Sequence, residues 1–172
     1  MKLPLPVQAL RMDSPLGPML LACGPQGLCG VWFEGQQHSP TAADQAQWLF
    51  QQDHPVLNAA KEQLQAYFKG QLHSFSLPLQ WPQATAFQLA VWQHLLRIPF
   101  GQTSSYGQLA AQLQNPQAVR AVGAAVGRNP LSIIVPCHRV LGKNGSLTGY
   151  AGGLPRKQAL LTLEGHDRFS AS

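Results

Sequence analysis

Acidic side chains are scarce in this chain. Its 172 residues hold seven Asp and Glu against twelve Lys and Arg. The shortage is uneven. Residues 1–85 carry five acidic and four basic side chains, whereas residues 86–172 carry only Glu164 and Asp167 against eight basic ones. A basic excess confined to one half points to a polyanion, most often nucleic acid, or to a merely soluble basic surface, and charge alone leaves both open. Long apolar runs are also missing, and none is long enough to span a bilayer. The stretch from Met1 to Val7 holds one lysine and two prolines, unlike the charged-then-apolar pattern of an export signal. The expectation is a soluble, cytoplasmic protein without a membrane partner. Cysteine is limited to Cys23, Cys29 and Cys137. An odd count without an export signal argues against a disulfide framework. Cys23 and Cys29 do not form the two-residue-spaced pairs of zinc sites and read as packed thiols. Internal repeats and low-complexity segments are absent, and the length suits one ordinary domain or two small ones.

What is present falls into two regions. Val7–Met12, Met19–Cys23 and Gly27–Phe33 are short apolar segments separated by Pro15-Leu16-Gly17 and Gly24-Pro25-Gln26, which is the pattern of a small antiparallel meander. Helical patterns follow over Thr41–Gln52 and about Pro55–Lys69, the second with Leu57, Leu64 and Phe68 at near-helical spacing. Gln71–Ala84 contains Pro78 and Pro82 and reads as an extended linker. From Thr85 the chain reads as helical. Thr85–Ile98 is amphipathic through Phe87, Val91, Trp92 and Leu95. Thr103 or Ser104 can cap a helix to about Leu113, and Pro116 fits the first turn of another to about Gly127. Pro155–Leu163 is a final helix. The fold class is α+β, with an N-terminal domain of small antiparallel sheet and helices (residues 1–84, linker included) and a mostly helical C-terminal domain (residues 85–172) with a helix-turn-helix.

The second helix of that helix-turn-helix is unusual. Over Arg120–Gly127 it has almost no side chain able to read base edges, Arg120 excepted. Small residues such as Ala121, Gly123 and Ala124 let a helix backbone approach a narrow surface. One reading is minor-groove docking with little sequence dependence and Arg120 inserted. The other is a small-residue helix packed in a core. Downstream, the apolar run Ile133-Ile134-Val135 reads as a buried strand that delivers Pro136-Cys137-His138-Arg139-Val140. There a thiol adjoins an imidazole, with Arg139 next in sequence, a positive neighbourhood that favours the thiolate. Taken alone, a local Cys-His pair reads more readily as a core cysteine beside an exposed loop histidine.

Ordered motifs decide between these readings. Ser105-Tyr106-Gly107, Arg120-Ala121-Val122-Gly123, Asn129-Pro130, Pro136-Cys137-His138-Arg139-Val140, Tyr150-Ala151-Gly152-Gly153, Lys157 and Leu163-Glu164-Gly165 resemble the O6-alkylguanine-DNA alkyltransferases, also called methylated-DNA–protein-cysteine methyltransferases. The resemblance runs from about Phe87 to Gly165; before that it rests mainly on Asp13-Ser14-Pro15-Leu16-Gly17. It implies a DNA repair protein whose partner is double-stranded DNA containing O6-alkylguanine, with O4-alkylthymine a further substrate. The C-terminal domain would bind DNA and accept the alkyl group. The damaged base is flipped into a pocket, because its O6 carbon cannot be reached in stacked DNA. The alkyl group passes irreversibly to Cys137, once per protein. His138 is implied as the base acting through a water, and Glu164 as the group that orients it, in the manner of a triad. Asn129 supports the turn that carries Cys137.

The resemblance also implies base-binding residues. Tyr106 would donate to N3 and the Ala151 amide to O6. The carbonyls of Cys137 and Val140 would accept from the exocyclic amine. Tyr150 belongs to the same loop, and Lys157 supports the pocket electrostatically. Arg120, with Ala121, Gly123 and Ala124 on its helix, would fill the gap the flipped base leaves. No cofactor and no metal are expected, since the zinc ligands of some animal members are not reproduced as a set. The protein is expected to be monomeric, with cooperativity on DNA left open and without the transcriptional role of the adaptive-response regulators. Two departures stand out: Ala151 replaces a serine common among relatives, and Ser132 stands where animal members tend to carry proline, which bears on acceptance of bulky adducts. Two rivals remain at this stage: a Cys-His-Glu hydrolase or acyltransferase, and a lesion-binding module without transfer.

Overall fold

Two Pro/Gly turns fold the start of the chain into three antiparallel strands, β1 (Gln8–Met12), β2 (Met19–Gly24) and β3 (Gly27–Phe33). The computed structural model describes residues 2–169; Met1 and residues 170–172, at the outer ends of the two expected domains, lie outside the described residues. All seven residues of β3 are buried, the mark of a strand covered on both faces. Gly30 is required there, because a Cβ would lie 1.7 Å from the Trp32 ring.

The expected helix over Thr41–Gln52 is shorter than its pattern. Thr41 caps a single turn, α1 (Ala42–Gln45), through a capping box with Asp44. The chain then extends into β4 (Leu49–Phe50), parallel to β1. The Leu49 amide donates to Val7 O and the Gln51 amide to Ala9 O at 3.0 and 3.1 Å. The open edge of β1 takes the backbone that a second and third helical turn would have used, and the sheet order is β3-β2-β1-β4. Helix α2 (Pro55–Phe68) packs Leu57, Ala60, Leu64 and Tyr67 inward; Tyr67, and not Phe68, completes the stripe.

The expected linker is partly structural. Pro78 O accepts from the Leu28 amide, and the Gln80 amide donates to Leu28 O, both at 2.8 Å. Pro130 O and the Ser132 amide pair in the same way with Val31. Both segments cover the outer edge of β3, which would otherwise offer unpaired backbone groups. One compact unit therefore holds the chain up to Ala84 and also takes in Pro130–Ser132, a segment the sequence places with the second half. Ser132 is buried and donates to Gln36 Oε1 at 3.1 Å.

The second unit comprises Thr85–Asn129 and the chain from Ile133 onward. Thr85 opens α3 (Ala86–Leu95) through a capping box with Gln88, and Trp92 Nε1 donates to Ala125 O at 2.9 Å. Ser104–Ser105 (β5) pairs in parallel with Val140–Leu141 (β6). That pairing moves the cap of the next helix past Thr103 and Ser104 to Ser105, which begins α4 (Tyr106–Gln112). A 3-10 turn, Pro116–Ala118, leads into α5 (Val119–Gly127), and α6 covers Leu154–Leu163. Helices α4 and α5 form the helix-turn-helix of an α+β protein. No helix among the described residues is long and apolar enough to cross a membrane.

Candidate active site

Cys137 is presented by a buried turn and not by the expected strand. Ile133 and Ile134 lie in a turn, and Ile133 has φ +72°. A β-branched residue in the left-handed region is a steric outlier that costs about 1–3 kcal/mol. The surrounding structure holds it there: Leu131, Ile133 and Val135 are each at most 1% exposed. A 3-10 turn over Cys137–Arg139 follows, in which the Cys137 amide donates to Val135 O and the Arg139 amide to Pro136 O. Asn129, just past the end of α5, secures this turn. Its Nδ2 donates to Val135 O at 2.8 Å and lies 3.0 Å from Cys137 Sγ.

Cys137 is 4% exposed and His138 is fully buried. His138 Nε2–H donates to Glu164 Oε1 at 2.8 Å. This bond fixes the neutral tautomer, with the lone pair on Nδ1. Glu164 is delivered by α6. Along that helix Lys157, Leu160, Leu161 and Glu164 share one buried face, so an apolar stripe carries a cation at its start and an anion at its end.

Arg139 has a different place from the one its sequence position suggests. Its Nε and one terminal nitrogen form a bidentate pair with Glu164, both at 2.8 Å, and the other terminal nitrogen donates to Ile98 O at 2.6 Å. The Gly101 amide also points at Glu164 Oε2, at 3.4 Å. The guanidinium therefore answers Glu164, and the positive neighbourhood expected for Cys137 comes from Lys157. Burial pushes the Cys137 thiol up, against smaller opposing effects of the Asn129 hydrogen bond and the Lys157 charge. The resting group is a thiol, not the thiolate that the sequence favours. Burial likewise holds His138 below the ordinary histidine range, partly offset by Glu164. Burial alone would raise Glu164, but the hydrogen bonds and charges of His138 and Arg139 together bring it down to about 2. The site thus combines a thiol, a neutral imidazole and an ionised carboxylate.

Lys157 is fully buried, and its Nζ donates to Val140 O, to Thr148 O at 2.8 Å and to Gly149 O at 3.4 Å. The Tyr106 hydroxyl, at the start of α4, lies 3.1 Å from the same two carbonyls, those of Thr148 and Gly149. Gly149 is needed at this point: its φ is +48° and a Cβ would lie 3.3 Å from the Tyr106 hydroxyl. Burial raises the Tyr106 phenol, so it remains a proton donor. These contacts form three sets, Cys137 with Asn129, His138 with Glu164 and Arg139, and Tyr106 with Lys157 and Val140, and Lys157 and Tyr106 act on Cys137 through charge. Tyr150 and Ala151 lie in the following turn, half-buried, with the Gly153 amide on Tyr150 O.

On α5 the inward residues are Val122, Ala125 and Val126, while Arg120, Ala121 and Ala124 are exposed. Gly123 is half-buried beside the Tyr106 ring. Ala121 and Ala124 therefore lie on the outer face of α5, while Ala125 packs inward with the two valines. Arg139, Gly101 and the Thr148 and Gly149 carbonyls were not legible as site groups. Of these, only Arg139 carried a signal, through its place in the Cys-His motif. Among the described residues no group of His, Cys, Asp and Glu is arranged to hold a metal ion.

Comparison with known proteins identifies the family. Residues 86–166 match the model of the 6-O-methylguanine DNA methyltransferase DNA binding domain, and residues 11–81 that of its ribonuclease-like domain. The methylated-DNA–protein-cysteine methyltransferase of Haemophilus influenzae is 45% identical over 88% of this chain and 82% of its own length. That of Methanosarcina acetivorans is 48% identical over 89% and 95%. The crystal structure of Mycobacterium tuberculosis OGT in complex with DNA superposes with a TM-score of 0.81 at 46% identity, covering 91% of this chain and 92% of that one.

Proposed function

The chain belongs to the methylated-DNA–protein-cysteine methyltransferase family, and on that premise we propose that it repairs duplex DNA by moving the alkyl group of O6-alkylguanine, and of O4-alkylthymine, onto Cys137. The observation that carries the reading is a buried Cys137 held by Asn129 and followed directly by His138, which is itself buried and hydrogen-bonded to the Glu164–Arg139 pair.

Exposed α5 lays its small-residue face on the duplex, and Arg120 fills the space left by the flipped base. Cys137 is a buried thiol, so attack is coupled to loss of its proton. His138, held neutral by burial and oriented by Glu164, takes that proton through a water at Nδ1. The sulfur–carbon bond forms as the carbon–O6 bond breaks, and the departing base receives the electron pair. Tyr106 turns its single hydroxyl proton from the Thr148 and Gly149 carbonyls to N3, and the Ala151 amide donates at O6, where negative charge develops. The proton removed from sulfur balances the one the guanine gains. The Cys137 and Val140 carbonyls accept from the exocyclic amine; a carbonyl has two lone pairs, so Val140 can serve the base and Lys157 together.

The product is a thioether, whose saturated carbon and poor thiolate leaving group resist attack even by a water that His138 could polarise. The protein acts once, as a monomer, and needs no cofactor for this step. A cytoplasmic location suits it, because thiols stay reduced there. Single-turnover kinetics with an O6-methylguanine duplex tests the reading: a burst of one transfer per protein is expected. Continued turnover would mean a hydrolase-like use of the same three groups.

A further inference from the structure

Lys157 is the one fully buried lysine of the second unit, and the reaction above gives it no proton and no contact with the base. Its surroundings are unusual for a residue that merely supplies charge. Three carbonyls converge on Nζ: Val140 of β6, and Thr148 and Gly149 of the loop that leads to Ala151. An ammonium has three N–H donors and no lone pair, which matches three acceptors. A neutral amine has two donors and a lone pair, so it must give up at least one of the three. The contact to Gly149, at 3.4 Å, is the longest of the three. The Tyr106 hydroxyl shares two of these carbonyls. The same short stretch of backbone thus seats both the phenol that faces the base and the ammonium beneath it.

We propose that Lys157 is a positioning residue for alkyl transfer: its ammonium pins the Thr148–Gly149 backbone to β6 and so fixes the seat of the Tyr106 hydroxyl beside Cys137. This rests on the function proposed above. The titratable groups that face Lys157 are Cys137 and His138 on the 3-10 turn and Tyr106 on α4. Arg139 and Glu164, further along, neutralise each other. Burial, partly opposed by the Cys137 charge, brings Lys157 down to about 8. Cys137 and Tyr106 are displaced upward and His138 downward, so a titration near 8 belongs to Lys157.

Three measurements test the clamp. In the unaltered protein the backbone carbonyl carbon shifts of Val140, Thr148 and Gly149 are followed by NMR as pH rises. A common midpoint near 8 is expected; carbonyls that stay flat through this range overturn the proposal. Lys157→Met and Lys157→Arg are then compared for duplex affinity and for the rate of methyl transfer. Both are expected to keep the affinity and to lose rate, on the order of a hundredfold for a misplaced pocket group. Arginine fails as well because its planar fork cannot direct three N–H groups from one nitrogen at the three carbonyls. Transfer by Lys157→Arg at the unaltered rate would show that charge alone suffices and would sink the clamp. If both variants unfold, the carbonyl titration decides by itself. An unaltered protein that transfers no methyl at all would instead overturn the function, with the titration still reading the clamp.

Discussion

Arg139 decides how the two other charged or chargeable partners of the buried network behave. Its bidentate pair with Glu164 offsets the carboxylate, and its charge helps hold His138 neutral. Arg139→Met therefore has two expected effects. Breaking a buried pair by removing one partner costs about 3–5 kcal/mol of stability, measurable by denaturant unfolding. Removal of the positive charge also raises the His138 pKa, so the acid limb of the transfer rate moves to higher pH; an unmoved limb would contradict the assignment. Glu164 makes a separate prediction. Its folded pKa, about 2, lies below the ordinary 4.5, so the folded state binds fewer protons than the unfolded one. The stability this confers is present above about 4.5 and is lost as pH falls towards 2. Glu164→Gln should flatten that part of the stability–pH curve, as read by thermal melts. At this scale the sequence was informative about identity and poor about environment. The motif marked Cys137, His138 and Glu164 as a set. It did not show that the adjacent arginine turns to Glu164, or that burial outweighs the cations around Cys137, because both depend on where α6 lies.

The helix-turn-helix is the element whose design is most readable in its residues. With Val122, Ala125 and Val126 inward, α5 exposes Val119, Arg120 and small side chains. Ala124→Leu adds bulk on the exposed face without entering the core. It is expected to weaken duplex binding about tenfold, roughly 1.4 kcal/mol, with an unchanged unfolding midpoint. A binding titration showing full affinity would remove α5 from the interface. Arg120→Ala should instead lower the transfer rate more than the affinity, since the role proposed for Arg120 begins once the base has left the stack. Other elements were less legible. The turns that separate β1, β2 and β3 followed from Pro and Gly, but the pattern over Thr41–Gln52 could not show that the edge of β1 would claim Leu49 and Gln51. The run Ile133–Val135 could not be told from a strand by its apolar character, and only the tertiary fold forces Ile133 into a positive φ. On α6 the spacing of Lys157, Leu160, Leu161 and Glu164 does place them on one face. Two charged residues within that face disguise it as an ordinary surface helix.

For the whole molecule, the charge asymmetry bears on how it finds DNA. A basic second half bearing only two acidic residues should bind duplex mainly through phosphates, so the logarithm of affinity falls linearly with that of salt and depends weakly on sequence. A flat response in a salt titration would contradict this. That asymmetry and the fold class could be anticipated from the chain, whereas the return of Pro130–Ser132 to the edge of β3 could not, since edge pairing over so long a separation leaves no local mark. The central claim is that Cys137 is a single-use acceptor. Mass spectrometry of the protein after incubation with a duplex carrying O6-methylguanine tests it most directly. The expected result is one methyl on the Cys137 peptide for each lesion repaired. Loss of the lesion methyl with Cys137 unmodified, or more lesions repaired than protein present, would contradict it.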